Sequence, residues 1–235
     1  MIKRKNGFTL AEVLITLAII GIVAVLTISG LVSKYEDKQI VTAVKKNFTV
    51  LNNALTMAII ENGPVSGWPL DTWSYNAAGR VEDSLEEEII TDEFTNLDNM
   101  VKYLNVIRDC GHEANGCFSH RYTNLNGTAV RDFENLPYYR KLVLNDGTLV
   151  AMQGYEGGSG EIWIDVNGQK APNTVGKDMF LFQISRTKQR VMPWSSDKPG
   201  CSTKWSGYAC SLWVVEFSNR DYLKCQWTTW GKCEG

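Results

Sequence analysis

Few residues in this chain have the type and spacing to do chemistry, and they fall in three places. The first is Glu12, the single charged residue between Phe8 and Val32. A carboxylate in an apolar stretch of that length is costly unless it is paired, so it is either a functional ion-pairing group or an edge residue reaching for water. The second is Asp165-Val166-Asn167-Gly168-Gln169 with Asp178 further on. Asp165, Asn167 and Asp178 offer oxygen ligands around a glycine turn, as the start of a calcium loop does, but the full EF-hand spacing with its terminal glutamate is absent. The same residues also suit a plain turn in which Asp165 accepts nearby backbone N–H groups. The third is Cys110-x-His112 with Cys117-x-x-His120, which has zinc-ligand types and contains both histidines of the chain. In an oxidising compartment the two cysteines would bridge each other instead.

Nothing else supports catalysis. There is no nucleophile with an evident base, no glycine-rich phosphate loop after a strand and no zinc-protease motif, so an enzyme is not expected. Glu86-Glu87-Glu88 reads as a solvated face. The formal net charge is −2, and the basic residues of the first five positions only partly offset the acidic remainder. A nucleic-acid-coating surface needs a basic excess, so nucleic acid is not an expected partner. Calcium is the cofactor candidate, and no other is expected.

The elements that would position these residues begin with a helix. The apolar run from Phe8 to Val32 is long enough to cross a hydrocarbon core of about 30 Å. Ile40, Val41, Val44, Phe48, Leu51, Leu55 and Ile59 then recur at spacings of three and four, continuing the helix with one apolar face. Asn62-Gly63-Pro64 stops it. The spacing therefore predicts one helix over 8–61, about 80 Å long at 1.5 Å per residue. Pro64 to Arg80 reads as loop. Leu97, Val101, Leu104 and Ile107 predict a second helix ending near Cys110. Lys141 to Met152 predicts a hairpin turning at Asn145-Asp146-Gly147, with strands at Glu161–Val166 and Met179–Ile184 after a glycine-rich turn over Gly154–Gly160. A long helix on a small antiparallel sheet is an α+β fold.

All six cysteines, Cys110, Cys117, Cys201, Cys210, Cys225 and Cys233, follow the apolar segment, which suits disulfides on the oxidising side of a membrane. Short separation favours Cys110 with Cys117, and the other four would staple the C-terminal region. Trp194, Trp205, Trp213, Trp227 and Trp230 interleave with those four. They form either an exposed stacking surface or the core of a small stapled region. The expected organisation is a basic leader over 1–7, the helix over 8–61 with 8–32 crossing the membrane, a globular part over 62–190 and a Cys/Trp-rich extension over 191–235.

Lys3, Arg4 and Lys5 precede the apolar run, and no small-x-small cleavage site interrupts the passage from that run into the amphipathic helix. The basic cluster should remain cytoplasmic, placing everything after Lys34 outside. Gly7-Phe8-Thr9-Leu10-Ala11-Glu12-Val13-Leu14-Ile15-Thr16-Leu17 resembles the cleavage and methylation motif of the type IV pilin and type II secretion pseudopilin superfamily. The resemblance implies a pilin-like fold, a cut between Gly7 and Phe8 by a prepilin peptidase, and methylation of the new Phe8 amine. It also implies that Glu12 pairs with the N-terminal amine of a neighbouring subunit. Many relatives carry a proline near Ser29; this chain has Ser29-Gly30, where glycine costs about 1 kcal/mol relative to alanine. Asp165 to Phe182 also resembles a segment common in secretion-type prepilin proteins, whose major pseudopilins bind calcium in a C-terminal loop.

The implied function is that of a filament subunit, pilin or pseudopilin, in a type IV pilus-like or type II secretion-like system. Its expected partners are the peptidase, other subunits, an inner-membrane platform and an assembly ATPase. The expected location is the bacterial inner membrane, single-pass, with the filament in the periplasm or at the cell surface. The alternative is a minor or tip subunit that binds a surface, carbohydrate or DNA through the tryptophan-rich end.

Overall fold

A computed structural model describes residues 9–68, 97–155, 158–194, 201–224 and 230, except for the side chains of residues 29 and 30. The chain divides into two compact units, 1–39 and 40–235. Helix α1, Leu10–Asn62, runs through both. It ends as the sequence predicts: Gly63 adopts φ 77°, its N–H donates to the carbonyl of Ile59 at 2.9 Å, and Pro64 follows.

In the first unit the apolar side chains of α1 from Leu10 to Val32 are exposed. The helix is long and apolar enough to cross a membrane. Two of its hydroxyls are compatible with that character. Thr16 donates to the carbonyl of Val13 and Thr27 to that of Val23, both at 2.9 Å, so each is satisfied by the helix itself.

In the second unit, residues 40–62 of α1 cover one face of a six-stranded sheet of order β1-β2-β3-β4-β5-β6. The strands are β1 Val106–Gly111, β2 Arg140–Leu144, β3 Leu149–Tyr155, β4 Ser159–Asp165, β5 Met179–Ser185 and β6 Arg190–Pro193. Every neighbouring pair is antiparallel. Val44, Leu51 and Leu55 of α1 share a core with Val150, Ile162 and Phe182, and Phe48 stacks on Phe182 at 5.5 Å. On the other face Ala151, Trp163 and Leu181 meet Phe118, Tyr122 and Phe133 of the connection between β1 and β2. Both faces are covered, which is why β3, β4 and β5 are buried at nearly every position instead of alternating.

The α+β layout, the long helix and the 141–152 hairpin form as expected. Two assignments change. The helix expected to end near Cys110 is only the single turn α2, Asp98–Val101, and Ile107 and Cys110 lie on β1. The β-branched pair Val106-Ile107 and the open edge of β2 favour a strand over a further helical turn. Strand β6 was not expected at all. Of the expected 64–80 loop, Val65–Gly67 form a 3-10 turn, and positions from 69 onward lie outside the described residues.

Residues after 190 contribute β6 and helix α3, Cys210–Phe217. Val191, Cys201, Trp213 and Tyr222 belong to the same core as α1 and the sheet. Disulfides join Cys110 to Cys117 and Cys201 to Cys210; Cys225 and Cys233 lie outside the described residues. Two buried charged residues stitch the β1–β2 connection. The Lys141 ammonium donates to the carbonyls of His112 at 2.7 Å and Glu134 at 2.9 Å. The Glu134 carboxylate accepts the N–H groups of Gly116 and Phe118.

Candidate functional site

Gly7 and Phe8 lie outside the described residues. The first residue with a defined side chain is Thr9, and it binds Glu12. The Thr9 N–H and hydroxyl both donate to Oε2 of Glu12 at 2.8 Å. The Glu12 N–H points back at the Thr9 hydroxyl oxygen at 3.3 Å. This is a capping box, in which residues three apart satisfy each other's free groups at a helix start. The Thr-x-x-Glu spacing was present in the sequence as a signal for it. Glu12 thus has hydrogen-bond donors within its own chain but no cation beside it among the described residues.

The second site is the loop between β4 and β5. Asp165 ends β4 and is fully buried. Its Oδ2 accepts the Tyr122 hydroxyl at 2.8 Å and its Oδ1 the N–H of Asn167 at 3.2 Å. Asp178 is also buried, and its two oxygens accept the N–H groups of Thr174 at 2.6 Å and Asn173 at 2.8 Å. The three sequence candidates are therefore brought together in one loop, each carboxylate closing a backbone turn. Burial, and then the charge of Asp178, push Asp165 up to about 8. Burial raises Asp178 as well. The side-chain carbonyl oxygens of Asn167 and Asn173 are buried and accept no hydrogen bond. Asn167 lines an open groove together with Arg108, Asp146 and Lys170, so the loop is reachable from solvent. Tyr122 and Asn173 are members of this site that the sequence pattern did not single out, because Tyr122 comes from a distant connection.

The cysteine–histidine cluster resolves in favour of the disulfide. Bridged sulfurs are not available as zinc thiolates. His112 Nδ1 lies 2.7 Å from the carbonyl of Pro137 and His120 Nδ1 lies 3.4 Å from Asp132. Among the described residues no group of three His, Cys, Asp or Glu side chains is placed to hold a metal.

The tryptophans behave mainly as core. Trp213 is buried and meets Phe217, Tyr222 and Trp230 edge-on. Trp194 is half-buried, whereas Trp205 is exposed. Trp227 lies outside the described residues.

The model of the prokaryotic N-terminal methylation motif matches residues 2–28, which carry the signature of type IV pilins and pseudopilins. No curated protein and no solved structure matches the chain.

Proposed function

We propose that this chain is a filament subunit, a pilin or pseudopilin that works as a building block and not as a catalyst. A prepilin peptidase cuts between Gly7 and Phe8, and the Phe8 amine is methylated. Until assembly, α1 holds the subunit in the inner membrane with the sheet domain outside. A membrane platform and an ATPase then move it into a bundle of subunits, where Glu12 meets the Phe8 amine of a neighbour. The observation that carries this reading is the methylation motif at 2–28 running without a break into a helix whose apolar side chains are exposed. An apolar face of that length is stable only in lipid or against other helices. The test is intact-mass analysis of membrane-extracted protein from cells with an active peptidase. Loss of the seven-residue leader together with one added methyl group is expected; recovery of the full-length chain would sink the reading. The burial of Trp213 favours the structural role over a tip built for stacking, since a buried ring is not offered to a ligand.

We further propose that the Asp165–Asp178 loop takes calcium. Two mutually repelling buried carboxylates and the unpaired carbonyls of Asn167 and Asn173 fit a hard, oxygen-seeking cation. Bound there, it would supply the positive charge that the loop otherwise lacks. Calcium should raise the melting temperature of the full chain in detergent, because a ligand of the native state alone stabilises it. An unchanged melting temperature would leave the loop as a turn.

A further inference from the structure

Four of the left-handed turns in this protein are made the same way. Gly63, Gly116, Gly127 and Gly168 have φ of 77°, 72°, 86° and 71°, and each follows an asparagine. Asn–Gly suits such turns because glycine accepts positive φ and asparagine tolerates the approach to it. The pair is also chemically fragile. The glycine amide nitrogen, shielded by no side chain, attacks the asparagine Cγ. The new C–N bond closes a succinimide ring, the side-chain nitrogen leaves as ammonia, and water opens the ring to aspartate or isoaspartate. The balance is asparagine plus water giving a carboxyl group plus ammonia, with no other reactant.

Attack requires that the glycine nitrogen be free to lose its proton and reach Cγ. At three pairs it is not free. The Gly63 N–H is held by the carbonyl of Ile59 in the helix cap, where the Asn62 side-chain nitrogen is also committed, to the carbonyl of Ala58 at 3.0 Å. The Gly116 N–H is held by the buried Glu134 carboxylate inside a disulfide-closed loop, and the Asn115 side-chain nitrogen donates to the carbonyl of Cys110 at 2.9 Å. The Gly168 N–H lies beside the fully buried Asp165 carboxylate, and the Asn167 side-chain nitrogen donates to the carbonyl of Ala171 at 3.4 Å.

The fourth pair is built differently. Asn126, Gly127 and Thr128 are all exposed. The Gly127 N–H donates only to the carbonyl of Asn124 at 2.9 Å, within an open turn where water competes for it. The Thr128 hydroxyl and N–H both donate to the Asn126 side-chain oxygen, at 2.8 and 3.1 Å. Donors aimed at that oxygen draw charge from Cγ and stabilise the negative oxygen that forms during attack. The Asn126 side-chain nitrogen, which has to leave, makes no hydrogen bond among the described residues. We propose that, of the four Asn–Gly pairs among the described residues, Asn126 is the one that the folded chain turns into aspartate or isoaspartate, and that the other three are shielded by their surroundings (a fifth pair, Asn6–Gly7, lies outside the described residues).

The two products differ in effect. Aspartate keeps both Thr128 donors, now onto a charged acceptor. Isoaspartate adds a methylene to the backbone between Thr123 and Ala129, which pair as an isolated bridge, and beside Leu125, whose N–H donates to the carbonyl of Ser206.

The experiment incubates the full chain in detergent at mildly alkaline pH and follows conversion at 62, 115, 126 and 167 by peptide mapping, folded and in urea. In the folded chain position 126 should convert well ahead of the other three; in urea the four should converge. Thr128→Val, which removes the hydroxyl donor, should slow position 126 about fivefold, the size of one net hydrogen bond. The proposal is overturned if 126 is no faster than the others when folded, if those three react equally folded and unfolded, or if Thr128→Val leaves the rate at 126 unchanged or raises it.

Discussion

At Glu12 one side chain serves two ends. Its carboxylate closes the capping box with Thr9, and in the proposed assembly it also supplies the negative charge that a neighbour's amine requires. Glu12→Gln separates these roles, because glutamine serves equally well as the third residue of a capping box but carries no charge. The variant should insert and be cleaved normally, yet be poorly recovered in sheared or crosslinked filaments, since charge-assisted contacts are about twice as strong as neutral ones. Glu12→Asp should be intermediate. Filaments as abundant as those of the parent would reduce Glu12 to a capping residue. Asp165 allows a test of a different kind. Its folded value of about 8 lies above its ordinary 3.8, so the folded chain binds the proton more tightly than the unfolded chain. That contribution is fully present below about pH 4 and is lost as pH rises towards 8, a sign shared by Asp178. Without divalent cations the melting temperature of the sheet domain should therefore fall over that window, and Asp165→Asn should flatten the slope. A slope of opposite sign would mean that the loop holds both acids charged at little cost.

Elements differ in how far their sequences declare them. The 141–152 hairpin was legible because Asn-Asp-Gly fixes its turn and both strands are short runs of Leu and Val. Helix α1 was legible from its period and its Asn-Gly-Pro stop. Strand β1 was not, because Leu97, Val101, Leu104 and Ile107 share a helical spacing that only the open edge of β2 overrides. Strand β6 was missed for a similar reason. It is four residues long, and what fixes it is tertiary: the Asn52 side chain of α1 accepts the N–H of Val191 at 3.1 Å. The candidate calcium residues were legible as a group, but Tyr122 was not, because it arrives from the β1–β2 connection. The same connection depends on Lys141 and Glu134, both buried and each bonded to backbone groups, and invisible to any pattern that expects charges outside. Lys141→Met leaves the carbonyls of His112 and Glu134 without their donor and should cost about 1–3 kcal/mol in chemical denaturation. A loss below about 0.5 kcal/mol, less than one net hydrogen bond, would show that the Glu134 hydrogen bonds alone hold this connection.

For the whole second unit, the Cys201–Cys210 bridge closes a short loop, its two cysteines 9 residues apart, and that loop packs on segments far away in sequence. Its loop brings Gly207 against Leu125 and Val175, so closely that a side chain at 207 would meet both, and Gly176 lies against Cys210. Replacing both cysteines by alanine should lower stability by about 2–4 kcal/mol, measured as a drop in denaturation midpoint at unchanged slope. A changed slope would mean instead that the C-terminal region detaches before the rest unfolds. The outer strands of the sheet have a further consequence. Strand β1 slips register twice along β2, and β6 is short, ends at Pro193 and has the Val191 N–H already taken by α1. Neither border is a good template for another extended chain. In the proposed filament, crowded subunits would be at a local concentration where exposed sheet borders could fuse them into amyloid-like ribbons. By blunting both borders, the domain would leave joining in the proposed filament to the apolar helix α1.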